Sequence, residues 1–162
     1  MPGYAKQIAL DVIAQLAALN EAAPLAVPDY EAAFQRMYVT DLESLVPAGD
    51  PASKMQIVLA PVETVYERTG WGGVRITVTL GLLFNIAVAT AAGEVTDERI
   101  DAYEQLVDEV CTFLVGPRLF AGSWSAKDPL PIFGDHYNDH LYEKSEFHVP
   151  VLVDFFQDVG VS

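Results

Sequence analysis

The residues of this chain that could do chemistry are concentrated in one short stretch. That stretch is Asp135-His136-Tyr137-Asn138-Asp139-His140. Its two histidines are four positions apart, so on a helix they would share one face. With Asp135 or Asp139 they would offer the imidazole and carboxylate ligands that zinc and other divalent ions accept. His136, Asp139 and His140 are therefore candidate metal ligands.

The same stretch also fits a site without metal. Tyr137 follows His136, so the HExxH arrangement of zinc proteases, which needs glutamate there, is absent. Such spacings also occur in polar loops, where a histidine pairs with a neighbouring acid. The two interpretations differ in one observable, which is whether the purified protein carries an ion.

The remaining reactive side chains do not form a catalytic pattern. His148 lies in an alternating segment opposite Phe147 and Val149, which predicts that it points to solvent. No serine lies in the Gly-x-Ser-x-Gly elbow of a hydrolase. Cys111 is the single cysteine, so we expect a small, partly buried residue and no intramolecular disulfide. We predict no enzyme activity and no cofactor.

A long strand is the element around which these residues must be arranged. From Val74 to Val88 every even position is apolar, and the odd positions are mostly smaller or more polar. Alternation of this kind predicts a strand with one buried face. At ~3.3 Å per residue the strand would be roughly 50 Å long, so we expect a bend or bulge at Gly81.

Two amphipathic helices are predicted to cover the buried face of that strand. The first spans residues 4–19, and the second spans 97–115, with Thr96 or Asp97 as its N-cap and Gly116-Pro117 as its end. Shorter strands are predicted at 32–39, 55–59, 62–67 and 147–156. A helical turn is predicted at 41–45, and turns at 47–51 and Ala92-Gly93.

Two features of the C-terminal part complete the predicted fold. Residues 117–146 are predicted to be a long irregular loop, and Pro150 predicts an edge or bulged strand because proline has no N–H. The fold class is therefore α+β, with a mixed, mostly antiparallel sheet, a long central strand and two helices on one face. The length of 162 residues suits a single domain spanning 1–162.

The charge of the chain limits the partners it can have. The formal net charge is −14, which argues against wrapping nucleic acid or binding an anionic membrane, since both require clustered Lys and Arg. Lys6 and Asp11 interrupt any signal-peptide core. Ile76 to Gly93 lacks charge, but its threonines and its alternation favour a strand over a membrane span.

A glycine-rich turn at Thr69–Gly73 offers candidate contact residues. No Lys-Ser or Lys-Thr follows, so it is not a phosphate loop. Trp71 lies between glycines, and Arg68 and Arg75 flank the turn, where they would contact an acidic partner or pair with Glu63 or Glu67. Interface candidates are thus Trp71, Arg68, Arg75 and, in the predicted loop, Trp124.

The order of elements resembles the tail terminator (tail completion) proteins of long-tailed bacteriophages, or a related neck or minor tail protein. Three stretches carry this resemblance: Lys54–Pro61 leading to Arg68; Val78–Val88 with Asp97-Glu98-Arg99-Ile100-Asp101 and its helix; and Tyr137–Leu141 before Phe147–Val151. These are patterns of apolar character rather than catalytic motifs.

The resemblance implies a structural virion protein that forms a ring at the head-proximal end of the tail tube. Such a ring, sixfold in the family, stops tube growth and joins the tail to the head after assembly in the host cytoplasm. Its implied partners are other copies of itself, the major tail tube protein and a head–tail connector or neck protein. DNA would pass through the acidic lumen without specific binding.

Two alternatives stay open beside this interpretation. One is a metal-binding or metal-dependent module that uses His136, His140 and Asp139. The other is an adaptor domain that binds a peptide by strand addition at a sheet edge near Pro150.

Overall fold

The computed structural model describes residues 3–36, 54–88 and 97–160. In chain order the elements are α1 (Tyr4–Ala22), β1 (Tyr30–Phe34), β2 (Met55–Thr69), β3 (Gly73–Ala87), α2 (Asp97–Leu114), β4 (Ser125–Pro131), α3 (Asp135–Asn138) and β5 (Glu146–Val159). A 3-10 turn at Gly70–Gly72 joins β2 to β3. A π-helical turn at Asp139–Glu143 follows α3.

The five strands form one mixed sheet with the order β1-β2-β3-β5-β4. β1 pairs with β2 in parallel, and the other three pairings are antiparallel. β3 lies at the centre, as the alternating pattern predicted. The predicted α+β class with a mostly antiparallel sheet is therefore confirmed.

One face of the sheet carries the main core. The even-numbered side chains of β3, from Ile76 to Phe84, are buried there with those of α1 and α2. The helix residues in this core include Ile8, Val12 and Leu16 of α1, and Leu106, Val107 and Val110 of α2. Burying each such side chain contributes about 1.5–3 kcal/mol, so this single layer of contacts is a major source of stability.

The predicted bulge at Gly81 of the central strand is wrong. β3 pairs with β5 in unbroken register, and the irregularity lies in the opposite strand, between Pro61 and Glu63 of β2. One extra residue, Val62, is accommodated there. The cause is Pro61, which cannot donate to the ladder and so favours an interruption. The two strands predicted at 55–59 and 62–67 are one strand, β2, which continues past Pro61 to Thr69.

The segment predicted as an irregular loop at 117–146 contains regular structure. It forms β4, α3 and the π-helical turn. Trp124, expected to be available for contacts, is only 2% exposed, and its ring lies 5.2 Å from that of Tyr4 in α1. A tight turn directs Trp124 toward the core, because Phe120 and Trp124 form a β-bridge on either side of Gly122. Gly122 has a φ of 85°, a conformation that glycine adopts readily.

Pro150 does not mark an edge strand. β5 lies between β3 and β4, and Pro150 is paired with Leu83 of β3. The Pro150 carbonyl accepts a hydrogen bond from the Ile132 N–H, just beyond the last residue of β4. The proline nitrogen also faces β4, at the end of the β4–β5 ladder. Its missing N–H therefore interrupts no hydrogen bond within that ladder. Strand addition near Pro150 is therefore ruled out, because β3 and β4 already lie on the two sides of β5.

Several predictions concern parts of the chain outside the described residues. They are the end of the first strand at 37–39, the turns at 41–45 and 47–51, the turn at Ala92-Gly93 and a cap at Thr96. The second helix begins at Asp97 and ends one residue before Val115, close to its predicted bounds. Among the described helices, none combines the length and apolar character that a membrane span requires.

Candidate functional site

All three histidines of the chain meet at one place. His136 of α3, His140 of the π-helical turn and His148 of β5 have ring centroids 4.3 to 5.0 Å apart. The chain contains 3 histidines in 162 residues, so this site uses every one. One ring nitrogen from each lies within 4.8 Å of the others. We call this group the histidine cluster.

Packing against the core orients the turn that carries two of these histidines. Tyr137 and Leu141, also four residues apart, are buried in the main core. The Tyr137 hydroxyl donates a hydrogen bond of 3.0 Å to Glu104 of α2, and its ring meets Phe147 edge-on. His136 and His140 each precede one of these anchors by one residue, so both rings point toward β5.

His148 is held by the sheet itself. It pairs with Asn85 of the central strand, and only 4% of it is exposed, which contradicts the prediction that it points to solvent. The expectation assumed that the second face of the sheet is open at this point. Instead His136 and His140 cover it, and the His140 and His148 rings stack at an interplanar angle of 21°.

A carboxylate joins two of the three rings. Glu146 Oε1 lies 2.9 Å from His140 Nδ1 and 3.3 Å from His148 Nδ1. A carboxylate only accepts hydrogen bonds, so it favours the tautomer in which Nδ1 carries the proton. For His140 the lone pair then lies on Nε2, the atom that a metal ion would bind.

The interior of the site leaves polar atoms without partners. Within the described ranges, the buried Nε2 of His148 and Oδ1 of Asn85 have no hydrogen-bond partner. The Asn85 amide nitrogen, which is a donor, lies 3.2 Å from His148 Nδ1 and favours a lone pair on that atom, whereas Glu146 favours a proton there. Buried polar groups are normally hydrogen-bonded, so the unpartnered Nε2 is a position that a further group would satisfy.

Burial keeps His148 uncharged at neutral pH. Desolvation, reinforced by the neighbouring His140, lowers the pKa of His148 to about 4. An imidazole must be neutral to coordinate an ion, so the surroundings hold His148 in the state that a ligand requires.

The candidate metal ligands named from the sequence only partly coincide with the histidine cluster. The structure brings His136 and His140 together, but the third member of the group is His148, and Asp139 and Asp135 are exposed outside it. The second interpretation of the stretch is supported in one respect, since His140 pairs with an acid, Glu146. His148 could have been found only by recognising that the outer face of β5 is covered.

The four interface candidates lie at different positions in the structure. Arg68 is exposed near the end of β2, and Trp71 lies within the turn Gly70–Gly72. Trp124 is buried in the core, so it is not available as an interface residue. Arg75 donates hydrogen bonds of 2.8 and 3.1 Å to Asp158 and lies over the Phe156 ring.

Arg75 is therefore paired within the chain, chiefly with Asp158 and, more weakly through charge attraction, with the predicted acid Glu67. Glu67 lies directly across the β2–β3 ladder from it, while Asp158 lies across the β3–β5 ladder. Asp158, which the sequence pattern does not single out, fixes the Arg75 side chain. Its own pKa is lowered chiefly by the hydrogen bond from Arg75.

No protein-family model and no curated protein matches the chain.

Proposed function

We propose that this chain is a structural virion protein that forms a ring at the head-proximal end of a phage tail tube. The ring ends tube growth and joins the tail to a head–tail connector or neck protein. It consists of several copies of the chain, six if it follows the family that the sequence resembles, and it carries no catalytic site. The element order and the α+β sheet support this proposal.

The observation that carries the proposal is the exposed end of the β2–β3 hairpin, which we call the arm and define as residues 62–75. β2 is buried from Met55 to Pro61, but beyond Thr64 the residues on both of its faces are exposed. Within the described ranges, neither helix layer covers that part of the strand. The part of β2 exposed on both faces, residues 65–69, is roughly 16 Å long at ~3.3 Å per residue.

Apolar side chains on the arm favour contact with another protein. Val65 is 36% exposed and Tyr66 is 62% exposed. Side chains this exposed add little stability to an isolated subunit, whereas docking on a neighbouring copy would bury them. Aromatic residues at such positions are typical of interface anchors.

The sheet edges offer a second kind of contact. β1 and β4 are the outer strands, and Leu130 on β4 is 59% exposed. A head-to-tail contact between unlike surfaces closes into a ring when its rotation divides a full turn. An arm on one side and an edge strand on another are two unlike surfaces of this kind.

The charge of the chain suits a channel for DNA. With a net charge of −14 per copy, a ring concentrates negative charge around its lumen. Such a field repels phosphate and opposes adhesion of the genome.

Sedimentation and electron microscopy with purified tail tubes test the proposal. We expect rings, or tubes with one end capped by this protein and protected from further growth in the presence of tube protein. A protein that stays monomeric at high concentration and leaves both tube ends free to grow would contradict it.

The arm can be tested separately with a matched pair of tyrosines. Tyr66→Glu places a charge where contact is proposed, and we expect loss of ring formation or of tube capping. Tyr142→Glu is the control, because Tyr142 is 74% exposed and lies on the π-helical turn, far from the arm in the chain. Equal effects of the two substitutions, or none from Tyr66→Glu, would exclude the arm as the contact.

A further inference from the structure

We propose that the histidine cluster binds one divalent transition-metal ion through His136, His140 and His148, and that zinc is the ion that fits it best. The proposal concerns a site independent of ring formation. It differs from the ligand set predicted from the sequence, because a histidine of β5 takes the place of Asp139.

The spacing of the rings is close to that of a metal site. With Zn–N bonds of about 2.0–2.1 Å, tetrahedral geometry places ligand nitrogens roughly 3.4 Å apart. One nitrogen of each ring lies within 4.8 Å of the others, so side-chain rotations that bring them up to about 1.4 Å closer complete the arrangement. His136 and His140 come from successive turns of one short helical segment, which is a common way to place two ligands side by side.

The environment around the rings matches what a metal-binding histidine needs. Glu146 accepts a hydrogen bond from Nδ1 of His140, which leaves the lone pair of that ring on Nε2, and it also lies 3.3 Å from Nδ1 of His148. Carboxylate–histidine–metal arrangements of this kind fix the tautomer and increase ligand basicity. The buried Nε2 of His148 lacks a hydrogen-bond partner in the described part of the chain, and an ion would satisfy it.

The position of the ligands indicates what the ion does. Two ligands belong to α3 and the π-helical turn, and the third belongs to β5 next to the central strand. An ion shared among them fastens a short helical segment to the sheet. Three imidazoles favour zinc, copper, nickel or cobalt over calcium and magnesium, which prefer oxygen ligands. A fourth position is left for water or a group from a partner.

Stacking of neutral imidazoles without an ion is the competing explanation of the cluster. It also places three rings within van der Waals contact, and it predicts no tight, stoichiometric binding. Metal titration distinguishes the two, since only a coordination site has both a fixed stoichiometry and a ligand-field spectrum.

The experiment uses the full chain without a histidine tag, stripped of metal with a chelator and dialysed at pH 7.5. Zinc is titrated by calorimetry, and cobalt(II) by its visible absorption. We expect one ion per chain, a submicromolar dissociation constant for zinc and intense cobalt bands typical of four-coordinate geometry. Stoichiometry well below one, or affinity weaker than about 10 µM, would overturn the proposal.

Variants identify the ligands. His136→Ala and His140→Ala, both at partly exposed positions, should each weaken zinc binding by at least a hundredfold. Glu146→Gln should weaken it about 10–100-fold, as expected of a residue that orients ligands. Asp139→Asn is the matched control and should change nothing. Unchanged affinity in both histidine variants, or an equal loss in Asp139→Asn, would overturn the assignment.

Folding is checked independently, because a ligand variant could lose affinity by unfolding. Circular dichroism and thermal melting in the presence of chelator should be alike for the wild-type chain and for His136→Ala and His140→Ala. Zinc should raise the melting temperature of the wild-type chain and not that of His140→Ala. A zinc effect of the same size in both would contradict coordination by His140.

Discussion

At the scale of single residues, Cys111 shows how burial controls reactivity. The thiol is half-buried on α2, and burial, followed by the charge of Asp108, raises its pKa to about 11. The thiolate is the reactive species, so a raised pKa makes the thiol inert at neutral pH. This agrees with the expectation of a small, partly buried residue rather than a nucleophile.

Alkylation by iodoacetamide measures this shift directly. At pH 8 a thiol with a pKa of about 11 is roughly one-thousandth ionised, whereas an ordinary cysteine is about one-quarter ionised. The thiol of the folded chain should therefore react on the order of a hundredfold more slowly than that of the chain in urea. The rate should rise about tenfold per pH unit from 8 to 10. Because Cys111 is the single cysteine, the signal is unambiguous. Equal rates in folded and unfolded chains would refute the shift.

The candidate site was only partly predictable from residue patterns. The i, i+4 spacing of His136 and His140 suggested a shared face before any contact was known, and that pairing holds. His148 was missed because alternation tells which face of a strand a residue lies on, but not whether another element covers that face. Asp139 was included because of its sequence position, yet it lies outside the cluster.

At the scale of elements, the segment from α3 to the end of the π-helical turn depends on tertiary anchors. A helical piece this short has little stability of its own, since nucleation is costly and few hydrogen bonds repay it. Tyr137 and Leu141 fix it to the core, and the Tyr137 hydroxyl bonds to Glu104 of α2. The pKa of Tyr137 is raised by burial and then by this hydrogen bond, which is consistent with a protonated donor.

Replacing Tyr137 by Phe removes this hydrogen bond and keeps the ring against Phe147. Because the acceptor is a carboxylate in a partly buried setting, we expect a loss of about 1.5–3 kcal/mol in the free energy of unfolding, measured in urea. Tyr142→Phe is the control: its side chain is exposed, so its effect should stay within about 0.5 kcal/mol. Equal losses in the two variants would show that the hydrogen bond does not anchor the segment.

Elements with a strong period were predictable, and elements without one were not. β3 and α2 carry unbroken apolar patterns over 15 and 18 residues, so their type and approximate bounds followed from sequence. β4 has 7 residues, among them Pro129 and Pro131, and it pairs on one side only, so its pattern is weak. Pro61 separates the predicted strands 55–59 and 62–67, whereas the sheet keeps both in one strand by accommodating one extra residue there.

At the scale of the whole molecule, charge and exposed apolar surface act in opposite directions. The proposed ring buries the arm, which favours association, while a net charge of −14 on every copy opposes it. Salt screens repulsion between exposed charges over a distance of about 10 Å at 0.1 M and less at higher concentration. Burial of apolar side chains such as Tyr66 is not weakened by screening.

The balance between these terms predicts that self-association of the chain strengthens with salt. In sedimentation velocity runs at fixed protein concentration, the fraction of ring-sized species should increase several-fold between about 20 mM and 500 mM sodium chloride, since screening reduces like-charge repulsion. Tyr66→Glu should abolish the increase, whereas Tyr142→Glu, which adds the same charge, should retain it. Association that is strongest at low salt would instead mean that opposite charges hold the copies together, and the arm would not be the principal contact.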